Sequence, residues 1–295
     1  MKILKLPAAS VSARFAAIML LVLVLPFVAL LIVTTGNLSR IQRESANQYL
    51  SSNLRTVSAT VDQSLKSLEF SHTVIFQDTK FLNAIKRLSP YSEREEYPDF
   101  LNTNAIKKRI AESAVTNNYI YSIYAYSFPA QRIFSSKVNW DPKFNYYTGE
   151  NSEWLQAHLE NTKRHPWCIT KDINEGKLLI SSYREIWDYA MGDSPLGLLS
   201  INIDAGVITG MLDEVAPKVP GYTFIIDSKG DIISNQNDSN REVFEQIKKL
   251  KPDSPGEGYF SFNIGKGEMF ASFYTSPYSG FTYVIATSLN LIQTS

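Results

Sequence analysis

Residues 15–33 read FAAIMLLVLVLPFVALLIV, without one charged or strongly polar side chain. A helix rises about 1.5 Å per residue, so about 20 apolar residues cross a hydrocarbon layer ~30 Å thick. The run reaches that length once Thr34 and Thr35 are added. Pro26 lies inside it, and membrane helices accept proline because neighbouring groups re-satisfy the freed carbonyl. Lys2, Lys5 and Arg14 precede the run and no acidic residue occurs before Gly36, which places the N-terminus in the cytoplasm and the rest outside. The competing reading is a cleaved signal peptide. Its apolar core spans about 7–15 residues and ends at a small-residue site, and Thr34-Thr35-Gly36-Asn37 makes a poor one. A buried core helix would need a polar face, which this run lacks. The expectation is a single-pass cell-membrane anchor with residues 37–295 exported.

That division explains the charge balance. The chain of 295 residues holds 29 basic and 29 acidic side chains. Three basic residues precede the membrane, leaving 26 outside against 29 acids, a formal charge of −3. A slightly acidic exported region has no electrostatic reason to hold nucleic acid or anionic lipid. The single cysteine, Cys168, excludes an internal disulfide and a multi-cysteine zinc site, and reads as a small buried hydrophobe.

Beyond Asn37 the pattern is helical. Leu50, Leu54, Val57, Val61, Leu65 and Leu68 recur at spacings of four and three, which puts them on one stripe. No glycine or proline occurs from 37 to 89, so the helix is expected to continue the membrane span. The stripe packs on the following domain or, in the sharper reading, forms a homodimer seam. Phe81–Leu88 extends the helical pattern, and a second helix covers Phe100–Thr116. At Tyr119 the period changes. YIYSIYAYSF (119–128) and RIFSS (132–136) read as a hairpin turned by Pro129-Ala130-Gln131. A polar, aromatic-bearing crossover follows, with a short helix carrying Trp154, and then strands at 178–187 and 196–203. Ala205–Val215 reads as a helix. The order then recurs: a hairpin at 222–227 and 231–235 turned by Ser228-Lys229-Gly230, a helix at 241–250, and strands at 259–264, 269–275 and 281–287. The expected fold class is α+β: an N-terminal transmembrane helix, a long helix, and two tandem PAS-like modules with antiparallel sheets. The boundaries are a cytoplasmic N-terminus (1–14), the membrane helix (15–35), the long helix (37–75), a membrane-distal module (76–213), a membrane-proximal module (214–288) and a juxtamembrane stub (289–295).

No nucleophile motif, phosphate loop or paired-histidine metal motif is present. His158, Glu160 and His165 straddle a helix end and read as solvated or pocket-lining rather than as metal ligands. Asp227 and Asp231 bracket a turn, where aspartate is ordinary. The residues therefore argue for binding rather than for an enzyme, with no cofactor. Tyr124, Tyr126, Trp140, Tyr147, Trp154, Trp167 and Tyr183 concentrate aromatic faces in the first module, and aromatic walls with a few polar groups hold small solutes. The plainer account of each is core packing.

Several segments resemble the double-Cache extracellular sensor region of bacterial membrane receptors. They are NSEWLQAHLENT with HPWCIT (151–170), LLISSYREIWD before SPLGLLSINIDAGVITGML (178–212), and GYTFIIDSKGDIISN (221–235). In style they are most similar to the input regions of Gram-positive sensor histidine kinases. The resemblance implies an extracellular small-molecule-sensing domain of a signal-transduction receptor of two-component type. The alternatives are a secreted or surface-anchored solute-binding protein, or the input of a membrane-bound transcriptional regulator or chemoreceptor. It implies a ligand between the distal sheet and the crossover at about 137–170, with Arg184 and Asp188 as charged candidates. Many amino-acid-binding members carry an Arg two residues before the crossover Trp and a Tyr just after it. Ser152 and Leu155 stand there, so an α-amino acid is disfavoured. The family's second membrane helix and output domain do not follow the last strand, which implies an incomplete receptor or a sensor acting through a partner.

Overall fold

A computed structural model describes residues 11–89, 97–141, 145, 167–187, 195–215, 221–234, 241–250, 256–265 and 267–288. Helix α1 runs unbroken from Val11 to Phe76 with Pro26 inside it. It contains a stretch long and apolar enough to cross a membrane, and Met19–Val33 present exposed apolar side chains. From Leu50 onward the same helix belongs to the folded body. Leu50, Leu54, Val57, Val61, Leu65 and Leu68 are each at most 2% exposed. Burying one such side chain contributes about 1.5–3 kcal/mol, so the stripe is a major anchor of the fold. It is consumed within the chain, which corrects the dimer-seam expectation over this stretch.

Helix α1 ends at Phe76, and the chain breaks at Gln77-Asp78 before the helical pattern resumes. Helix α2 (Thr79–Arg87) restarts there, because the Asp78 carboxylate accepts from the Lys80 and Phe81 N–H groups and caps the new N-terminus. Arg109 holds the corner, 3.1 Å from Asp78 and donating to the Val74 carbonyl at 2.9 Å. Helix α3 (Tyr97–Val115) begins before the expected Phe100, since a proline at 98 suits a first turn.

Ten strands follow among the described residues: β1 Ile120–Ser127, β2 Arg132–Ser135, β3 Trp167–Lys171, β4 Leu178–Trp187, β5 Pro195–Asp204, β6 Gly221–Ile226, β7 Ile232–Ser234, β8 Glu257–Ile264, β9 Gly267–Thr275 and β10 Thr282–Ser288. Helix α4 (Ala205–Val215) joins the two groups of five, and α5 (Arg241–Leu250) lies within the second. The sheet orders are β2-β1-β5-β4-β3 and β7-β6-β10-β9-β8, all antiparallel. The second order is the first displaced by five strands, so one topology occurs twice, as expected for tandem modules.

Alternation assigns the faces. In the first sheet Ile123, Ala125, Phe134, Ile186, Leu199 and Ile201 pack with Ile75, Phe81, Ile85, Ile106 and Ile110 of α1, α2 and α3. The helices thus cover one face. In the second, Phe224, Ile226, Phe273, Val284 and Ala286 pack on Val243 and Ile247 of α5, and Ser272 of β9 meets Ser51 of α1 at 3.2 Å. Gly197 is required where β5 passes β1, because a Cβ there would sit 1.8 Å from the Tyr126 carbonyl oxygen.

A tyrosine and hydroxyl face on the first sheet

The face of the first sheet turned away from the helices is polar in a way its partner face is not. Tyr124, Tyr126, Ile133, Cys168, Tyr183 and Leu198 form a buried cluster, with Phe128, Trp140 and Ile173 packed against it. The Tyr124 and Trp140 rings lie 5.1 Å apart, and the Trp140 indole N–H donates to Asn145 at 2.8 Å. Between these aromatics runs a row of fully buried small polar groups. Ser200 donates to Asn202 at 2.7 Å, and Asn202 donates to Ser122 at 3.0 Å. Ser181, also fully buried, meets half-buried Thr170 at 2.6 Å. A buried hydroxyl without a partner costs about 1–3 kcal/mol, so these groups satisfy one another.

One end of the face is organised by Asp172, only 2% exposed. Its Oδ2 accepts the Tyr124 hydroxyl, while Oδ1 accepts the Asn174 and Glu175 N–H groups at 2.9 and 2.8 Å. The turn between β3 and β4 is thereby tied to the middle of β1. Lys137, where the crossover leaves β2, stands 4.0 Å from Asp172, bridges to Glu175 at 2.6 Å and donates to the Tyr121 hydroxyl at 2.8 Å. Burial pushes the Tyr124 hydroxyl well above the usual phenol range, with Asp172 adding to it, and burial does the same to Tyr183. Both stay neutral and keep a proton to donate. Burial also raises the Cys168 thiol to about 12, so it is a packed side chain and not a nucleophile.

The expected site residues divide into three groups. Tyr124, Tyr126 and Tyr183 share this face with Trp140 beside them. Trp167 and Arg184 are on the opposite face: Trp167 pairs with Ser182 and Arg184 with Leu199, whose side chain is in the helix-covered core. Arg184 turns to α1 and sits 3.4 Å from Glu69. Strand alternation thus removes Arg184 and Trp167 from the tyrosine face. Tyr147, Trp154, Asp188, His158, Glu160 and His165 lie outside the described residues, as do Ser152 and Leu155. Asp172, Lys137 and the hydroxyl row were missed because aromatic density was taken as the signal. Alternation of Ser200 and Asn202 with Leu199 and Ile201 would have shown the hydroxyl row.

The sequence pattern that defines the Cache domain (dCache_1) matches residues 38–295. No curated protein matches the chain in sequence. Among solved structures, the ligand-binding domain of Campylobacter jejuni chemoreceptor Tlp3 in complex with L-norvaline is similar at 16% identity. Its TM-score is 0.56, over 86% of this chain and 95% of that one. The ligand-binding domain of Mlp24 with asparagine is similar at 15% identity and a TM-score of 0.57, over 85% and 97% of the two chains. That of Pseudomonas fluorescens chemoreceptor CtaA with L-isoleucine follows at 12% and 0.53, over 86% and 97%. The likeness is one of fold. It corrects the expectation that Ser152 and Leu155 disfavour an α-amino acid, because this architecture is seen holding several of them.

Proposed function

The chain belongs to the Cache-domain family, and from that premise we propose that it is the sensory input of a membrane receptor whose first module takes a small polar solute. The observation that carries the reading is the asymmetry of the first sheet. One face fills mainly with isoleucine, leucine, alanine and phenylalanine against the helices. The other buries tyrosine, serine and asparagine around Asp172, a polar surface that packing alone does not call for. On this reading Tyr126 and Tyr183 donate to the ligand and Trp140 supplies a flat wall. The module at 76–213 is membrane-distal, the one at 214–288 membrane-proximal, and Lys2, Lys5 and Arg14 hold the N-terminus in the cytoplasm.

Solutes able to use this face carry several hydrogen-bonding groups on a small frame. α-Amino acids belong in that class and are what the similar chemoreceptor domains hold; sugars and small carboxylates complete it. The test is thermal unfolding of the full chain in detergent micelles against a library of all three. A ligand at a hundred times its Kd stabilises by about 2.7 kcal/mol, and Tyr183→Phe should reduce the shift. If no compound moves the transition while a solved chemoreceptor domain responds under the same conditions, the sensing proposal fails. The family likeness of 151–235 to kinase inputs favours a histidine-kinase output. The second reading is a chemoreceptor output, favoured by the solved neighbours. Assaying which output domain, fused after residue 295, responds to the solute separates the two.

A further inference from the structure

Strand β3 is the exit of the crossover and an edge of the first sheet: among the described residues it pairs with β4 alone. An edge strand carries a row of N–H and C=O groups that need cover. The Ile169 N–H on that open edge donates to the Asp227 carboxylate, Oδ2, at 3.2 Å. Asp227 belongs to the other module, in the β6–β7 turn, and is fully buried. Its Oδ1 accepts the Lys229 and Asp231 N–H groups, both at 2.9 Å. One oxygen therefore shapes its own turn, made by Gly230 at φ +89°, while the other reaches a backbone atom of the neighbouring sheet. Reading Asp227 as an ordinary turn residue accounts for the first oxygen only.

Two residues before Ile169, buried Trp167 lies beside Tyr278 in the β9–β10 turn, and Tyr278 also feels Glu69 of α1. That turn is fixed by Ser276, whose hydroxyl accepts the Tyr278 and Ser279 N–H groups and donates to Asp62 of α1 at 2.7 Å. Both turns of the second module thus grip one five-residue strand. The two grips differ in kind. The contact at Tyr278 is between side chains, whereas the bond from a backbone N–H to the buried Asp227 carboxylate is directional and short-ranged.

We propose that Asp227 is the mechanical link by which the position of β3, set by the crossover, is read by the second module. A displacement of β3 along its axis by one residue, about 3.3 Å, would exchange the Ile169 N–H for a different backbone group and release the turn. The junction then has two discrete arrangements instead of a graded one. Its signalling role rests on the reading of the first module as the ligand-binding one; the link itself does not.

The test uses Asp227→Asn in the full chain in micelles, without ligand. The amide oxygen can still accept the two turn N–H groups, which leaves the amide nitrogen facing Ile169 N–H, donor against donor. Hydrogen exchange of the 167–171 segment and alkylation of Cys168 are followed under native conditions. A bond to a charged group holds back opening by about ten- to a hundredfold. The expected result is at least about a tenfold acceleration of both, with β4, β5 and the 229–231 turn unchanged. Asp231→Asn removes a neighbouring charge that reaches β3 only through its field at the Cys168 thiol, and should leave exchange at 167–171 unchanged. Unchanged exchange at 167–171 in Asp227→Asn overturns the link. So does equal acceleration in Asp231→Asn, or acceleration shared by β4 and β5. If Asp227→Asn does not accumulate, Asp227→Glu keeps the charge but misplaces it by a methylene, and is read by the same two measurements. A failed ligand screen leaves these outcomes untouched, so the two proposals fail separately.

Discussion

His72 should make the folded body acid-sensitive. It lies on α1, fully buried, with the Phe76 ring 6.1 Å away. Among the described residues neither ring nitrogen meets a hydrogen-bond partner of acceptable geometry. Burial lowers its pKa from 6.5 to about 3, the Arg184 charge adds to the fall, and the nearby backbone of Leu199 and Ser182 offsets part of it. Glu69, paired with Arg184 at 3.4 Å, is the acid facing the same region. The sign follows from linkage. The folded state keeps His72 neutral while the unfolded state binds a proton below 6.5, so stability is complete above that pH and drains as pH falls toward 3. The slope is about 1.4 kcal/mol per unit. Between about pH 7.5 and about pH 5 only the span below 6.5 counts, which gives a loss of about 2 kcal/mol. For a body of this size that is about 4–8 °C in Tm. Tryptophan fluorescence of the full chain in neutral detergent follows the transition, since all four tryptophans lie between Trp140 and Trp187. His72→Leu carries the same carboxylates and the other two histidines, so the difference between the two pH responses isolates this ring. Equal Tm losses in both proteins, within about 1 °C, would refute the reasoning.

Leu65→Ala should cost about 3–4 kcal/mol, seen as a lower denaturant midpoint, because Leu65 is 0% exposed in a stripe buried along its length. Gly197→Ala should cost more than about 3 kcal/mol and reduce the yield of folded chain. The added methyl meets backbone, the Tyr126 carbonyl, and not a side chain able to move. Arg55→Ala should leave the thermal transition where it is, since the Arg55–Glu257 bridge is exposed and water screens such pairs. Unmodified Cys168, its thiol raised to about 12, should resist iodoacetamide at mildly alkaline pH until the protein unfolds, as mass spectrometry would show.

The long helix, its buried stripe and nearly all ten strands were legible because each rests on a period. Leu50–Leu68 repeat at helical spacing, and β4 and β5 alternate cleanly. The break at Asp78 was not legible from glycine or proline, because it comes from a capping carboxylate and from Arg109, thirty-one residues away. The site was legible only in part. Aromatic density found Tyr124, Tyr126 and Tyr183, but density has no direction. It also collected Trp167 and, with the family likeness, Arg184, which strand register turns to the helices. Asp172, Lys137 and Asp227 escaped because their importance lies in partners distant in sequence.

The alternation of the first sheet also bears on how such a chain changes over generations. The isoleucines and leucines facing the helices hold the fold, while Ser122, Ser181, Ser200 and Asn202 stand on the reverse of the same strands. Replacing one of the serines by alanine, threonine or cysteine alters the reverse surface by about one atom and leaves the helix-facing layer untouched, at the cost of the hydrogen bond that its neighbour loses. On the proposed reading of that reverse face, a two-residue period separates the positions that tune the solute from those that pack on the helices.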